Sequence, residues 1–170
     1  MAKVLADHLH GHRRKDASVH ALIATDGSDI ALEAARRGVA VLRPDRVTLL
    51  TVADTSIAED SGAGGIEGGL LSPEESERAR GAILSEGDRE LDVTAAELGL
   101  AAAQVSQHLV EGPAGLMICK AVTDLGADVV VVGSHGYGLL KRMAIGSVSE
   151  YVVHHCDVPV LVVRHHQDAS

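Results

Sequence analysis

The stretch Asp128-Val129-Val130-Val131-Val132-Gly133-Ser134-His135-Gly136, followed after a nine-residue interval by Gly146-Ser147, decides how this chain is read. An unbroken aliphatic run closed by glycine is the pattern of a strand buried on both faces of a parallel sheet. Glycines at its carboxyl end let the chain turn tightly, with no Cβ between backbone and ligand. A helix opening at Ser147 turns its unpaired N–H groups toward whatever lies in front of it. The frame therefore predicts a strand, a phosphate-accepting turn and a helix, which together make a candidate nucleotide site.

Reading outward from that frame, Ala21-Leu22-Ile23-Ala24-Thr25 is a short buried strand ending at Asp26-Gly27-Ser28. Ser28 caps a helix from about Asp29 to Leu42, stopped by Pro44. A second strand follows at Val47–Val52. The connection 53–72 is long and glycine-rich, which predicts a lid or a disordered tether that orders on ligand binding. Ser72-Pro73-Glu74-Glu75 combines a capping serine, proline at the first helical position and a reciprocal glutamate, so a helix starts there and runs to Leu98 and Gly99. Gly81 and Gly87 weaken that helix by about 1 kcal/mol each.

Val105, Gln107 and Leu109 share one face of a third strand of mixed polarity, suited to a sheet edge. Gly112-Pro113 opens a third helix closed by Gly126, and Ser147 a fourth. A fifth strand falls at Val158–Val163, where Pro159 removes one ladder donor and restricts the strand to an edge or to a start at that residue. Strands alternating with helices give an α/β fold: an open five-stranded parallel sheet of order 3-2-1-4-5, with helices on both faces and right-handed crossovers. Its order reverses between the first and fourth strands, where ligands of such sheets bind beyond the carboxyl ends. Asp26 and Gly133 stand there.

The chain has 170 residues, 46% of them hydrophobic, enough for the core of one domain. With no Phe, no Trp and two Tyr, that core is aliphatic, and platforms for stacking single-stranded nucleic acid are missing. A formal charge of −9 opposes nucleic acid and acidic membrane surfaces as partners. Cys119 and Cys156 fit neither a metal site nor a small secreted framework, and are expected as reduced thiols. Residues 1–17 form a polar leader with His8, His10 and His12, read as a solvated tail, with residues 18–165 as the domain and 166–170 as a tail. Neither signal peptide nor membrane span is legible, so the expected location is cytoplasmic.

Two familiar phosphate motifs are excluded. A P-loop counted from Gly133 reaches Gly138 and then meets Leu139 instead of lysine. Asp26-Gly27-Ser28-Asp29 holds too few glycines for the dinucleotide fingerprint. A ligand-free reading also exists: Ser147-Val148-Ser149-Glu150 is a capping box, and the glycines are ordinary turn punctuation. Against it stands the combined spacing, with Lys141 and Arg142 between the glycines as cations that would screen a polyphosphate.

With that spacing the chain resembles the universal stress proteins of the ATP-binding subclass, whose pattern is Gly, two residues, Gly, nine residues, Gly-Ser/Thr. Here it is Gly133, Gly136, Gly146 and Ser147, with Asp26-Gly27-Ser28 and Val158–Val163 as family-like first turn and closing strand, and the likeness covers roughly residues 18–165. The resemblance implies a Rossmann-like sheet of the adenine nucleotide alpha hydrolase type. By position, Asp26 would contact the adenine or ribose side and Val52 would meet adenine through its backbone. Val132, Gly133, His135 and Gly136 would line the ribose and phosphate approach, and Gly146, Ser147, Val148 and Ser149 would hold phosphates. ATP, with or without Mg, is the implied ligand; ADP, AMP and cAMP are alternatives. The family also implies a homodimer paired through the last strand.

Ala24 departs from the family, which often has proline there. His135 is the one histidine inside the frame; it offers a donor to phosphate or ribose but no catalytic dyad. His154 and His155 suit the negative end of a helix, and His165 and His166 a solvated tail. The function expected is a dimeric, nucleotide-dependent stress-response or signalling module. The alternatives are a slow ATPase or phosphotransferase and a nucleotide-independent scaffold. No catalytic or metal-ligating residue is assigned.

Overall fold

The computed structural model describes residues 18–55, 72–134 and 145–164. Five strands form one sheet: β1 (His20–Ala24), β2 (Arg46–Ala53), β3 (Val105–Glu111), β4 (Val129–Gly133) and β5 (Val160–Val163). Among the described residues four α-helices connect or flank them: α1 (Asp29–Leu42), α2 (Pro73–Leu98), α3 (Ala114–Leu125) and α4 (Ser147–His155). The strand order is β3-β2-β1-β4-β5 and every pairing is parallel, as the sequence predicts. The leader, most of the 53–72 connection, Lys141, Arg142 and the last histidines lie outside the described residues.

Alternation along the strands sorts the core into two layers. Leu22, Leu50, Val130 and Val132 point to the face covered by Ile118, Ala121 and Val122 of α3 and Val152 of α4. Ile23, Val47, Leu49 and Val131 point to the opposite face, against Ala34 and Ala35 of α1 and Leu91 of α2. Register sets Leu22 beside Val130 and Ile23 beside Val131, so these neighbouring strands stack their layers in step.

Local signals set the helix ends. Ser28 caps α1 through the Ala31 N–H, and at α2 the Ser72 and Glu75 side chains satisfy each other's backbone amides. Gly87, costly as a helix residue, has a packing reason: a Cβ there would come 2.5 Å from Leu109 Cδ1, so glycine lets α2 lie close on β3. Arg80 adds a two-pronged pair to Glu111 at the end of that strand. At the end of α4 the His155 Nδ1–H donates to the Tyr151 carbonyl at 2.8 Å, the histidine role expected there.

Two expectations are corrected. Cys119 and Cys156 are not reduced thiols; they form a disulfide with Cα atoms 5.0 Å apart. Successive crossovers lay α3 and α4 side by side on one face and so join cysteines separated by 37 residues. The fifth strand begins at Val160, after Pro159 rather than at Val158. Its proline stands just outside the ladder, where its missing N–H costs no strand bond.

The amino end of the sheet is closed by a chain of polar contacts. Arg46 can only donate and the Gly126 carbonyl can only accept, and both lie on His20 Nδ1, at 2.8 and 3.3 Å; the shorter contact makes Nδ1 an acceptor and puts the ring proton on Nε2. That N–H donates to Thr48 Oγ1 at 2.8 Å, and Thr48 contacts Ser106 Oγ at 2.9 Å. Burial holds the His20 ring below the usual histidine range, against the Gly126 carbonyl, which favours the charged form.

Candidate functional site

The opposite, carboxyl end of the sheet holds a cavity of about 360 Å³, lined by described residues, at the reversal between β1 and β4. Eight of the residues singled out in the sequence meet there. Asp26 closes β1, Val52 comes from β2, and Val132 and Gly133 end β4. Gly146, Ser147, Val148 and Ser149 enter as the cap and first turn of α4. His135 and Gly136 lie outside the described residues.

The wall divides by chemistry. Leu50, Val52, Ile118 and Val132 make an apolar slot, and the head of α4 makes a polar end. No carbonyl one turn earlier within the helix serves the N–H groups of Ser147, Val148 and Ser149. The helix dipole adds a partial positive charge at that end. Gly146 donates its own N–H to the Ser134 carbonyl at 2.6 Å, which ties the two ends of the intervening segment together. Its φ of −74° and ψ of 158° are open to any residue, so what glycine contributes here is a missing Cβ.

Two readings of α4 change. The capping box at Ser147 does not form: Gly146 is the N-cap, and no side chain caps the helix. Ser149 is not a spare donor either; its hydroxyl donates to the Gly133 carbonyl at 2.5 Å. The chain enters the helix one residue earlier than a serine cap requires, so Ser147 takes the first helical position and Ser149 turns back to the strand.

On the other rim, Asp26 is braced rather than loose. Its Oδ1 accepts from the Ser28 N–H at 3.1 Å and the Ser28 hydroxyl at 2.6 Å. Thr25 sets the turn from behind. The Gly27 N–H donates to Thr25 Oγ1, and Thr94 Oγ1 spends its proton on the Glu90 carbonyl at 2.7 Å. Thr25 must therefore be the donor across the 2.9 Å contact to Thr94, a directed chain from β1 into α2. Gly27 takes φ +66°, and a Cβ there would come 2.9 Å from Glu90 Cγ. Burial first, then the neighbouring charges of Asp26 and Glu86, push the Glu90 carboxyl up to about 6.

Glu90 is the second acid near Asp26 that sequence reading leaves unassigned. Leu50, Ala114 and Ile118 were also missed as cavity residues. Leu50 was legible, being two residues from Val52 on the same strand face; Ala114 was legible as the head of a helix that, like α4, opens at the carboxyl end of the sheet. Among the described residues, no three His, Cys, Asp or Glu side chains group as metal ligands, and no helix is long and apolar enough to cross a membrane.

Sheet order and cleft position define a doubly wound, Rossmann-like α/β domain with its cavity at the switch point. The chain belongs to the universal stress protein family, whose model matches residues 19–164. It is 30% identical over 145 residues to a universal stress protein of Methanocaldococcus jannaschii, across 84% of this chain and 80% of that relative. A universal stress protein of Arabidopsis thaliana is 44% identical over 55 residues, which are 30% of this chain; the match spans only 23% of that relative's length. Among solved structures, the protein MJ0577 superposes with a TM-score of 0.72 at 27% identity, covering 89% of this chain and 99% of that one. An Arabidopsis thaliana family protein solved with AMP bound shares the fold at a TM-score of 0.58 and 20% identity, covering 87% and 92% of the two chains.

Proposed function

We propose that the cavity binds an adenine nucleotide and that the protein acts as a nucleotide-dependent stress-response module, with ATP, alone or with Mg, as its ligand. One observation carries this reading: the bare backbone of Gly133 and Gly146 and the head of α4 face an apolar slot at the switch point of the sheet. The slot suits a flat base, and the helix head suits phosphate. That a protein of the same fold holds AMP supports the choice of adenine.

In this reading Asp26, held by Ser28, accepts from the ribose or adenine side, and the Val52 backbone meets the base. Val132 and Gly133 flank the ribose, as would His135 and Gly136. Since the Gly146 N–H and the Ser149 hydroxyl are already spent, phosphate is held by the amides of Ser147, Val148 and Ser149 and by the Ser147 hydroxyl. Val160–Val163, an aliphatic strand at the sheet edge, serves as the homodimer seam by antiparallel pairing.

Calorimetric titration of ATP, ADP, AMP and cAMP tests the site. The protein is expected to bind at least one of them, and Gly146→Val to weaken that binding by about tenfold or more with an unchanged melting temperature. Valine fits the backbone angles at 146, so loss of binding reports obstruction. Equal affinity in the variant overturns the phosphate assignment.

A further inference from the structure

A covalent bridge lies behind the cavity wall. Both α3 and α4 run from the carboxyl end of the sheet back toward its amino end on the same face, packed side by side in one apolar cluster. A Cβ on Gly115 would lie 2.6 Å from Tyr151 Cδ1, so the backbone of α3 rests on that ring. Further along both helices, Cys119 is bonded to Cys156. Ahead of these contacts, Ala114 at the head of α3 and Ser147–Ser149 at the head of α4 line the cavity, and so does Ile118, next to Cys119. The bridge sits about 7 Å along α3 from Ala114. Both cysteines are half-buried.

We propose that the Cys119–Cys156 disulfide is a redox control on this cavity: closed, it fixes the spacing of the α3 and α4 first turns at which an adenylate is held; opened, it releases that spacing and weakens binding. The inference rests on the reading of the cavity as an adenylate site. The two helices also share the apolar cluster of Ile118, Ala121, Val122 and Val152, and the bridge adds the one covalent tie between them among the described residues. Opening needs a dithiol reductant. Its thiolate attacks one cysteine sulfur, the S–S bond breaks, and the other cysteine leaves as a thiolate that takes up a proton. The reductant's second thiol then closes its own disulfide and releases the remaining cysteine. Two electrons pass from the dithiol to the protein, and the reverse exchange closes the bridge.

Linkage makes the effect readable from both sides, because a ligand that binds the closed form better must stabilise the closed form by the same factor. The experiment uses the full chain, oxidised, reduced with dithiothreitol, and as a Cys119→Ala/Cys156→Ala double variant that air cannot re-oxidise. AMP and ATP are titrated into each, and hydrogen exchange is followed over residues 114–118 and 147–150. Affinity is expected to fall about fivefold or more on reduction and in the double variant, with faster exchange at both helix heads. Saturating AMP is expected to raise the dithiol concentration needed for half reduction by the same factor. Equal affinity in the oxidised and reduced forms overturns the redox control and leaves the adenylate site standing. Absence of adenylate binding in both forms overturns the site reading and this use of the bridge with it, and unchanged exchange at the two helix heads overturns the mechanical link itself.

Discussion

The Ser149 hydroxyl donates to the carbonyl oxygen of Gly133 at 2.5 Å, so the first turn of α4 is bonded to the last residue of β4 across the polar end of the cavity. Ser149 is buried, and its removal leaves the Gly133 carbonyl short of a partner. Ser149→Ala is expected to cost about 1–2 kcal/mol in urea denaturation. It is also expected to weaken adenylate binding, because the strand end and the helix head lose their fixed spacing.

Gly27→Ala carries two penalties at once. Its φ of +66° disfavours any side chain, and the new Cβ would meet Glu90 Cγ. A loss of about 2 kcal/mol is expected by denaturation. Shortening the neighbour to Ala in a Gly27→Ala/Glu90→Ala protein should return part of that loss, so a double-mutant cycle separates the steric share from the backbone share.

Acid and neutral pH pull on two groups in opposite senses. Glu90, raised to about 6 from 4.5, binds its proton more tightly folded than unfolded. Its contribution to stability is full below about 4.5 and is lost as pH rises through 6. His20 is lowered from 6.5, so its contribution is present above 6.5 and is lost as pH falls below it. Protonation would also set the ring against Arg46. Glu90→Gln is therefore expected to raise stability at pH 7 by about 1 kcal/mol, the full linkage value being reduced by solvent around a half-buried carboxyl. The gain should vanish by pH 4 in melts run across that range.

Reduction of Cys119–Cys156 should destabilise the fold whether or not ligand is present. Closing a loop of this length contributes about 2–4 kcal/mol. Thermal melts with and without dithiothreitol are the measurement, and the Cys119→Ala/Cys156→Ala protein should melt with the reduced form.

What the sequence revealed tracks how local the physics is. The Val129–Val132 run, the Ser72–Glu75 box and the Gly99 and Gly126 helix stops act within a few residues, and each was readable as written. The order of the sheet followed from alternation and crossover hand. The Thr25–Thr94 bond joins residues 69 apart and leaves no periodic trace, and neither does the approach of Glu90 to Gly27. Cys119 and Cys156 were misread for the same reason: their meeting depends on two crossovers landing side by side. At Ser147 the local signal was present but a competitor won, since a glycine cap shifted the helix by one residue and sent Ser149 back to Gly133.

The two margins of the sheet are unlike. β3 carries Ser106, Gln107 and His108, with Glu111 held by Arg80, whereas β5 is Val160-Leu161-Val162-Val163 throughout. A growing fibril needs each copy to offer two adhesive margins, one for the molecule before it and one for the molecule after. Of this sheet's two margins, β5 is the apolar one, so a pairing that covers β5 leaves only the more polar margin of β3 exposed.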